Sequence, residues 1–173
     1  VGKLHCAGNK GTLDIYTTHL FPCSDSARLS TLEQIHTSLD PNSNAVIAGD
    51  FNFAEAADDR MFFNVLAPTG SSDQKVAKFW QEQFWDFEDV SQSSSFTHFG
   101  DSHSARLDRV YMQSAYIPKQ FFKVSGAICH GYRTLSDHVP TSVRIASRIK
   151  ARNNTISTGI IKDRLFAEQV KSI

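Results

Sequence analysis

The stretch "VIAGDFNF", residues 46–53, constrains the chain more than any other. Val46, Ile47 and Ala48 form a continuous apolar run of strand length, too short for a buried helix. Gly49 interrupts the run, and Asp50 and Asn52 then stand two residues apart. On an extended segment such residues project to the same side, with Phe51 and Phe53 pointing the other way, into a core. An acid beside an amide can hold a phosphate oxygen and orient a water without both groups repelling an anion. An Asx turn closing a strand gives the same pattern without any chemistry.

The surrounding sequence supplies a strand, helix, strand unit. Residues 2–6 read as a first strand, "GNKG" as its hairpin connection, and residues 13–18 as a second strand through the alternation of Leu13 and Ile15 with Asp14 and Tyr16. Ser24, Asp25 and Ser26 can cap a helix that carries Leu29, Leu32, Ile35, His36 and Leu39 at helical spacing and stops before Pro41. Such a unit belongs to layered folds of strands and helices. Further along, "KVAKFWQEQFW" reads as a helix, "RLDRVYM" (residues 106–112) as a strand, and "QFFKVSGAIC" and "TSVRIAS" as two more strands on either side of the polar turn "LSDHVP". Residues 54–74 read as irregular and residues 92–105 as a polar loop around Phe96 and Phe99.

Composition bounds what this architecture can serve. The 173 residues suit one domain. Thirteen Phe against two Met predict a core of flat rings. Lys plus Arg equals Asp plus Glu, so no global charge draws the chain to nucleic acid, although a local basic patch is compatible with that balance. Cys6, Cys23 and Cys129 are an odd, widely spaced set without CxxC, read as reduced, buried small side chains of an intracellular protein rather than a disulfide framework or zinc site. No apolar run approaches the ~20 residues of a membrane span, and no signal peptide is visible.

Four polar groups fall at strand ends, where scaffolds present reactive side chains. They are His19 in "TTHL", Asp50 with Asn52 in "GDFN", Asp108 in "RLDRV", and Asp137 with His138 in "LSDHVP". Asp137 suits a hard divalent cation. His138 can exchange protons near neutral pH and needs an orienting acid, for which Asp108 is the candidate. Each has a plainer alternative: Asp108 paired with Arg106 or Arg109, Ser136 and Asp137 capping a turn, His19 held as a structural histidine.

The order "THL", capped helix, "GDFN", long loop, "SARLDRVY", strand, "LSDHVP", strand resembles the endonuclease/exonuclease/phosphatase superfamily over residues 2–147. The resemblance implies an α+β fold, a four-layer α/β/β/α sandwich of two mixed sheets, and a Mg2+-dependent (or Mn2+-dependent) phosphoesterase. By motif, Asp50 and Asn52 would position the attacking water and the phosphate, and Asp137 would ligate metal. His138 would contact the phosphate and handle protons, oriented by Asp108. His19 looks like the second histidine of deoxyribonuclease-I-like and sphingomyelinase-like members.

The family also places a metal-binding Glu and an Asn upstream of "THL"; only eighteen residues precede His19, and the first Glu is Glu33. The expectation is therefore a domain at residues 1–147 that is the C-terminal two thirds of the family's, incomplete at its N-terminus, inactive alone and with open sheet edges. Residues 148–173 would be a linker and short helix toward a further domain. The similarity of "SARLDRVYM" to endonuclease domains of non-LTR retrotransposons implies DNA as partner and a reverse-transcriptase-like domain downstream; the expected location is intracellular, with the nucleus as the candidate compartment. A sphingomyelinase-like or other phosphoesterase of the superfamily, or a degenerate non-catalytic copy, are the alternatives.

Overall fold

The computed structural model describes residues 1–8, 11–63, 73–91, 96–114, 122–129, 131 and 134–147. The expected linker and helix over 148–173 lie outside the described residues. The chain begins with an antiparallel pair, β1 (Gly2–Gly8) and β2 (Gly11–His19). Helix α1 (Asp25–Ser38) then carries it over to β3 (Asn44–Asp50), which lies parallel to β2. Ser24 is the helix N-cap, its Oγ accepting from Ala27 N at 3.3 Å, and Asp25 complements the positive end of the helix dipole.

The main sheet is five-stranded and mixed, in the order β1, β2, β3, β8 (Asp108–Gln113) and β5 (Phe87–Asp89). Two further sheets are antiparallel: β9 (Phe122–Ile128) with β10 (Thr141–Ser147), and β4 (Arg60–Phe62), β7 (His103–Ala105) and β6 (His98–Phe99) with β7 central. Two stretches read from sequence as irregular thus contain structure. Residues 54–74 carry a 3-10 turn at Ala57–Asp59 and the strand β4, and the expected loop over 92–105 contains the β6–β7 hairpin. These strands are two or three residues long, too short to show an alternation.

Strand alternation divides the core into two. Tyr16, Ile47 and Tyr111 face α1 and α2 (Gln74–Gln83), where Leu32, Ile35, Val76, Trp80 and Phe84 meet them. Phe51 sits at the centre, fully buried, 5.3 Å from the ring of Trp80 and 5.0 Å from that of Tyr111. Val46, Val90 and Met112 face the other way, together with Leu13 of β2 and Val110 of β8, against Val143 of the β9–β10 sheet. Helix, sheet, sheet are three layers of the expected four-layer sandwich; among the described residues no helix covers the outer side of the second sheet. No helix among them is long and apolar enough to cross a membrane.

Cys6 and Cys23 are exposed and Cys129 is half-buried, all as free thiols, which corrects the expectation of three buried side chains. Cys6 lies on β1, exposed along its whole length as an edge strand, and Cys23 lies in the turn before α1.

One buried ion cluster binds the loop after β3 to the start of β8. The Asp59 carboxylate accepts from Arg109 Nη2 at 2.8 Å, Arg106 Nε at 2.8 Å, and the backbone N–H groups of Glu55 and Ala56 at 2.9 Å. Arg109 also donates to Phe53 O at 2.9 Å, and Arg106 to the Asp89 carboxylate. Burial works to raise the Asp59 pKa, but Arg109, the turn's N–H groups and Arg106 outweigh it and hold the carboxyl below its ordinary value. A depressed carboxylate contributes stability that is present above its unfolded pKa and lost as pH falls through the folded value. Asp59→Asn leaves Arg109 buried without its countercharge, so urea unfolding at pH 7 is expected to show a loss of about 3–5 kcal/mol. The variant should also lose less stability than the parent as pH falls below 3.8.

Candidate active site

Three of the expected site residues form a row because of sheet register. His19 pairs with Asp50 across β2 and β3, and Asp50 pairs with Asp108 across β3 and β8. All three therefore sit at one level on three neighbouring strands and on the face opposite the helices. Gly49 makes the close approach possible. Its φ is +144°, and a Cβ there would lie 1.9 Å from Thr18 O.

Asp50 and Asn52 do come together, but not by strand alternation. β3 ends at Asp50, and Asn52 adopts a left-handed backbone with φ 48°. Asp50 Oδ1 accepts from Asn52 N at 2.9 Å, which is the Asx turn, while Oδ2 accepts from Asn52 Nδ2 at 2.9 Å. The same Nδ2 donates to Leu20 O at 2.8 Å, and Arg28 donates to Asn52 O. Turn and candidate site are thus the same object, and the backbone on either side of Asn52 is clamped to the end of β2 and to α1.

His138 closes the row. Its Nδ1 is 2.9 Å from Asp108 Oδ2, and its Nε2 is 3.9 Å from Asp50 Oδ2. Arg106 and Arg109 are engaged by Asp59 and Asp89, so the plainer reading of Asp108 as their partner does not hold. Burial works to lower the His138 pKa; the Asp108 hydrogen bond and the charges of Asp108, Asp50 and Asp137 outweigh it, leaving the value raised above 6.5. His19 Nε2 lies 3.6 Å from Asp50 Oδ2, on a side chain three-quarters exposed.

Asp137 stands apart from the Asp50–Asp108 pair and beside a residue that sequence reasoning missed. Its Oδ2 is 3.7 Å from Nε2 of His98. His98 and His138 form an isolated backbone bridge, their rings 4.9 Å apart. Phe99 N donates to Asp137 O at 2.8 Å and Val139 N to Thr97 O at 2.7 Å, so the "SDHV" turn is sewn onto β6. Thr97 Oγ1 in turn accepts from the backbone N of Leu107 and Asp108 at 3.0 and 2.9 Å, fixing the start of β8. The available signal for Thr97 and His98 was their position between Phe96 and Phe99, two anchors in an otherwise polar stretch. Burial first, then the charge of His138, holds the His98 pKa below 6.5.

The donors present bear on a divalent ion. His98, Asp137 and His138 each offer one ligand atom, all within 4.8 Å of one another. Asp137 itself is 65% exposed, open to a hydrated ion. Mg2+ binds through one or two carboxylates and keeps several waters, so Asp137 alone is compatible with it.

No family model and no curated protein matches the chain. Solved structures do. The 3′–5′ exonuclease NExo from Neisseria meningitidis is similar at 14% identity and TM-score 0.59, over 82% of this chain and 64% of that one. NExo from Neisseria described as a 3′ phosphatase bound to a product DNA hairpin gives TM-score 0.59 at 14% identity, over 83% and 64%. An AP endonuclease from Archaeoglobus fulgidus gives 0.54 at 17% identity, over 79% and 62%. An endonuclease/exonuclease/phosphatase family protein from Leptotrichia buccalis gives 0.53 at 15%, over 83% and 53%. The shared property is the fold. The chain spans less than two thirds of the length of each.

Replacing Asp108 by Asn removes the charge that holds the His138 proton. An NMR pH titration of the imidazole is expected to place the His138 pKa above 6.5 in the parent chain and lower in Asp108→Asn. An unchanged value would sever the link between the two residues.

Proposed function

We propose that this chain, which has the fold of the endonuclease/exonuclease/phosphatase superfamily, carries the hydrolytic site of a Mg2+-supported phosphodiesterase acting on DNA. The observation behind the reading is the lateral row of His19, Asp50 and Asp108 with His138 laid across it. Two carboxylates side by side on adjacent strands repel, and a fold that needs only stability has no use for them. The DNA choice draws on the DNA hairpin bound to the NExo structure and on the likeness of "SARLDRVYM" to retrotransposon endonucleases.

Each side chain has a task in such a reaction. Asp50 is fixed by the Asx turn through one hydrogen bond to each oxygen and retains lone pairs on both. It can therefore accept a proton from a water that attacks phosphorus in line. Asn52, with both Nδ2 hydrogens committed to Leu20 O and Asp50, holds the Asp50 carboxylate in position beside the phosphate rather than donating to the phosphate itself. His138, held by Asp108, directs Nε2 at the charge that builds on the nonbridging oxygens and can give a proton to the departing oxygen. His19, exposed at the rim, is placed to meet a second phosphate oxygen. Asp137 is the residue that would hold Mg2+, which when bound neutralises phosphate charge. The bond made is between the water oxygen and phosphorus; the bond broken is the phosphoester P–O.

The test is nicking of supercoiled plasmid in Mg2+ by a protein that carries these residues behind an N-terminal segment supplying the family's Asn and Glu. Asp50→Ala and His138→Ala are each expected to lose at least about 10²-fold in rate. Activity surviving either change rejects the site. Turnover of sphingomyelin without cleavage of DNA or RNA rejects the substrate, and no turnover of any phosphoester favours a non-catalytic copy.

A further inference from the structure

We propose that His98, Asp137 and His138 form a binding site for a borderline divalent transition ion of the Zn2+ class, and that this ion displaces Mg2+ from Asp137 and silences His138. The binding stands on the geometry of this chain; the silencing rests on the function proposed above.

The three donors belong to backbone segments paired to each other. The His98–His138 bridge and the hydrogen bonds from Phe99 N to Asp137 O and from Val139 N to Thr97 O fix their spacing. His98 Nε2 and Asp137 Oδ2 are already 3.7 Å apart. A tetrahedral ion with bonds of about 2.0–2.1 Å needs donors roughly 3.3 Å apart. The three donors lie within 4.8 Å of one another, and the remaining closure is a rotation of the two imidazole rings together with a swing of the exposed Asp137 side chain. Such a set leaves a fourth position open for water or a phosphate oxygen.

Donor chemistry decides which ion gains. Imidazole nitrogen suits zinc, copper and nickel, whereas Mg2+ wants oxygen. Moving from Mg2+ to Zn2+ at Asp137 therefore adds two ligands, His98 and His138, that Mg2+ does not use. Asp108 on Nδ1 of His138 supplies the carboxylate–imidazole–metal arrangement that orients a ligating ring and raises its basicity. One contrary term keeps the affinity modest. A metal on His98 Nε2 puts the ring proton on Nδ1, which is buried without a hydrogen-bond partner among the described residues. The consequence for catalysis is direct, since a metal-bound Nε2 of His138 can neither face the phosphate nor carry a proton.

The experiment is calorimetric titration of the 173-residue chain with Zn2+ alone, paired with the visible spectrum of its Co2+ form. One ion per chain and the intense bands of a tetrahedral Co2+ site are expected. His98→Gln and Asp137→Asn should each weaken Zn2+ at least tenfold. Asp137 is 65% exposed, so its variant tests the site even if His98→Gln does not fold, which circular dichroism reports. Absence of Zn2+ binding, or binding that both folded variants retain, overturns the site. In the nicking assay Zn2+ should inhibit the Mg2+-supported reaction, and His98→Gln should move the inhibition to at least tenfold higher Zn2+. Zn2+ binding lost in the variants but without inhibition overturns the silencing alone. Absence of any nicking counts against the hydrolase reading and leaves calorimetry to judge the site.

Discussion

The lateral register of β2, β3 and β8 is the constraint from which the rest of the site follows. It sets His19, Asp50 and Asp108 at one height across the sheet. A shift of one residue in any of the three strands would turn that strand's member toward the helices. What holds the register is apolar and lies below the tips: Ile47, Phe51 and Tyr111 on the helix side, Val46 and Met112 on the other. The charged row is therefore imposed by a core with no interest in it. Its repulsion is relieved locally by the imidazole of His138 and the amide of Asn52.

Asp59 performs the corresponding task for the loops. It gathers Arg106, Arg109 and the turn at residues 55–59 into one buried cluster, and Arg109 reaches on to Phe53 O. The segment following Asp50 and the segment preceding Asp108 are thereby fixed to a common point on the helix side of the sheet. The tips on the other side inherit their separation from that point and from Thr97.

What was legible in the sequence tracks the length of each signal. The seven-residue strand β3, the capped helix α1 and the Leu107, Arg109, Tyr111 alternation are long enough for period to show, and each element lies where the pattern put it. Strands β4 to β7 are too short for that; β6 begins at His98, with Thr97 just before it, so half the support of the "SDH" turn was hidden. Asp59 was invisible for a different reason. In "EAADDR" it looks like one more solvated acid, and only tertiary structure brings Arg106 and Arg109, nearly fifty residues away, onto it. The exposed Cys6 and Cys23 show the converse: residue type suggested burial, while an edge strand and a turn left them in water.

The left-handed backbone at Asn52 has a consequence for how the site's genetics should be read. Asn tolerates φ near 48° better than most residues. Trimming it to Ala thus removes an amide and, in the same stroke, loads the loop with torsional strain, so an alanine scan inflates the apparent chemical worth of that side chain. Glycine is the cleaner deletion here, because it keeps the backbone at ease while taking the functional group away.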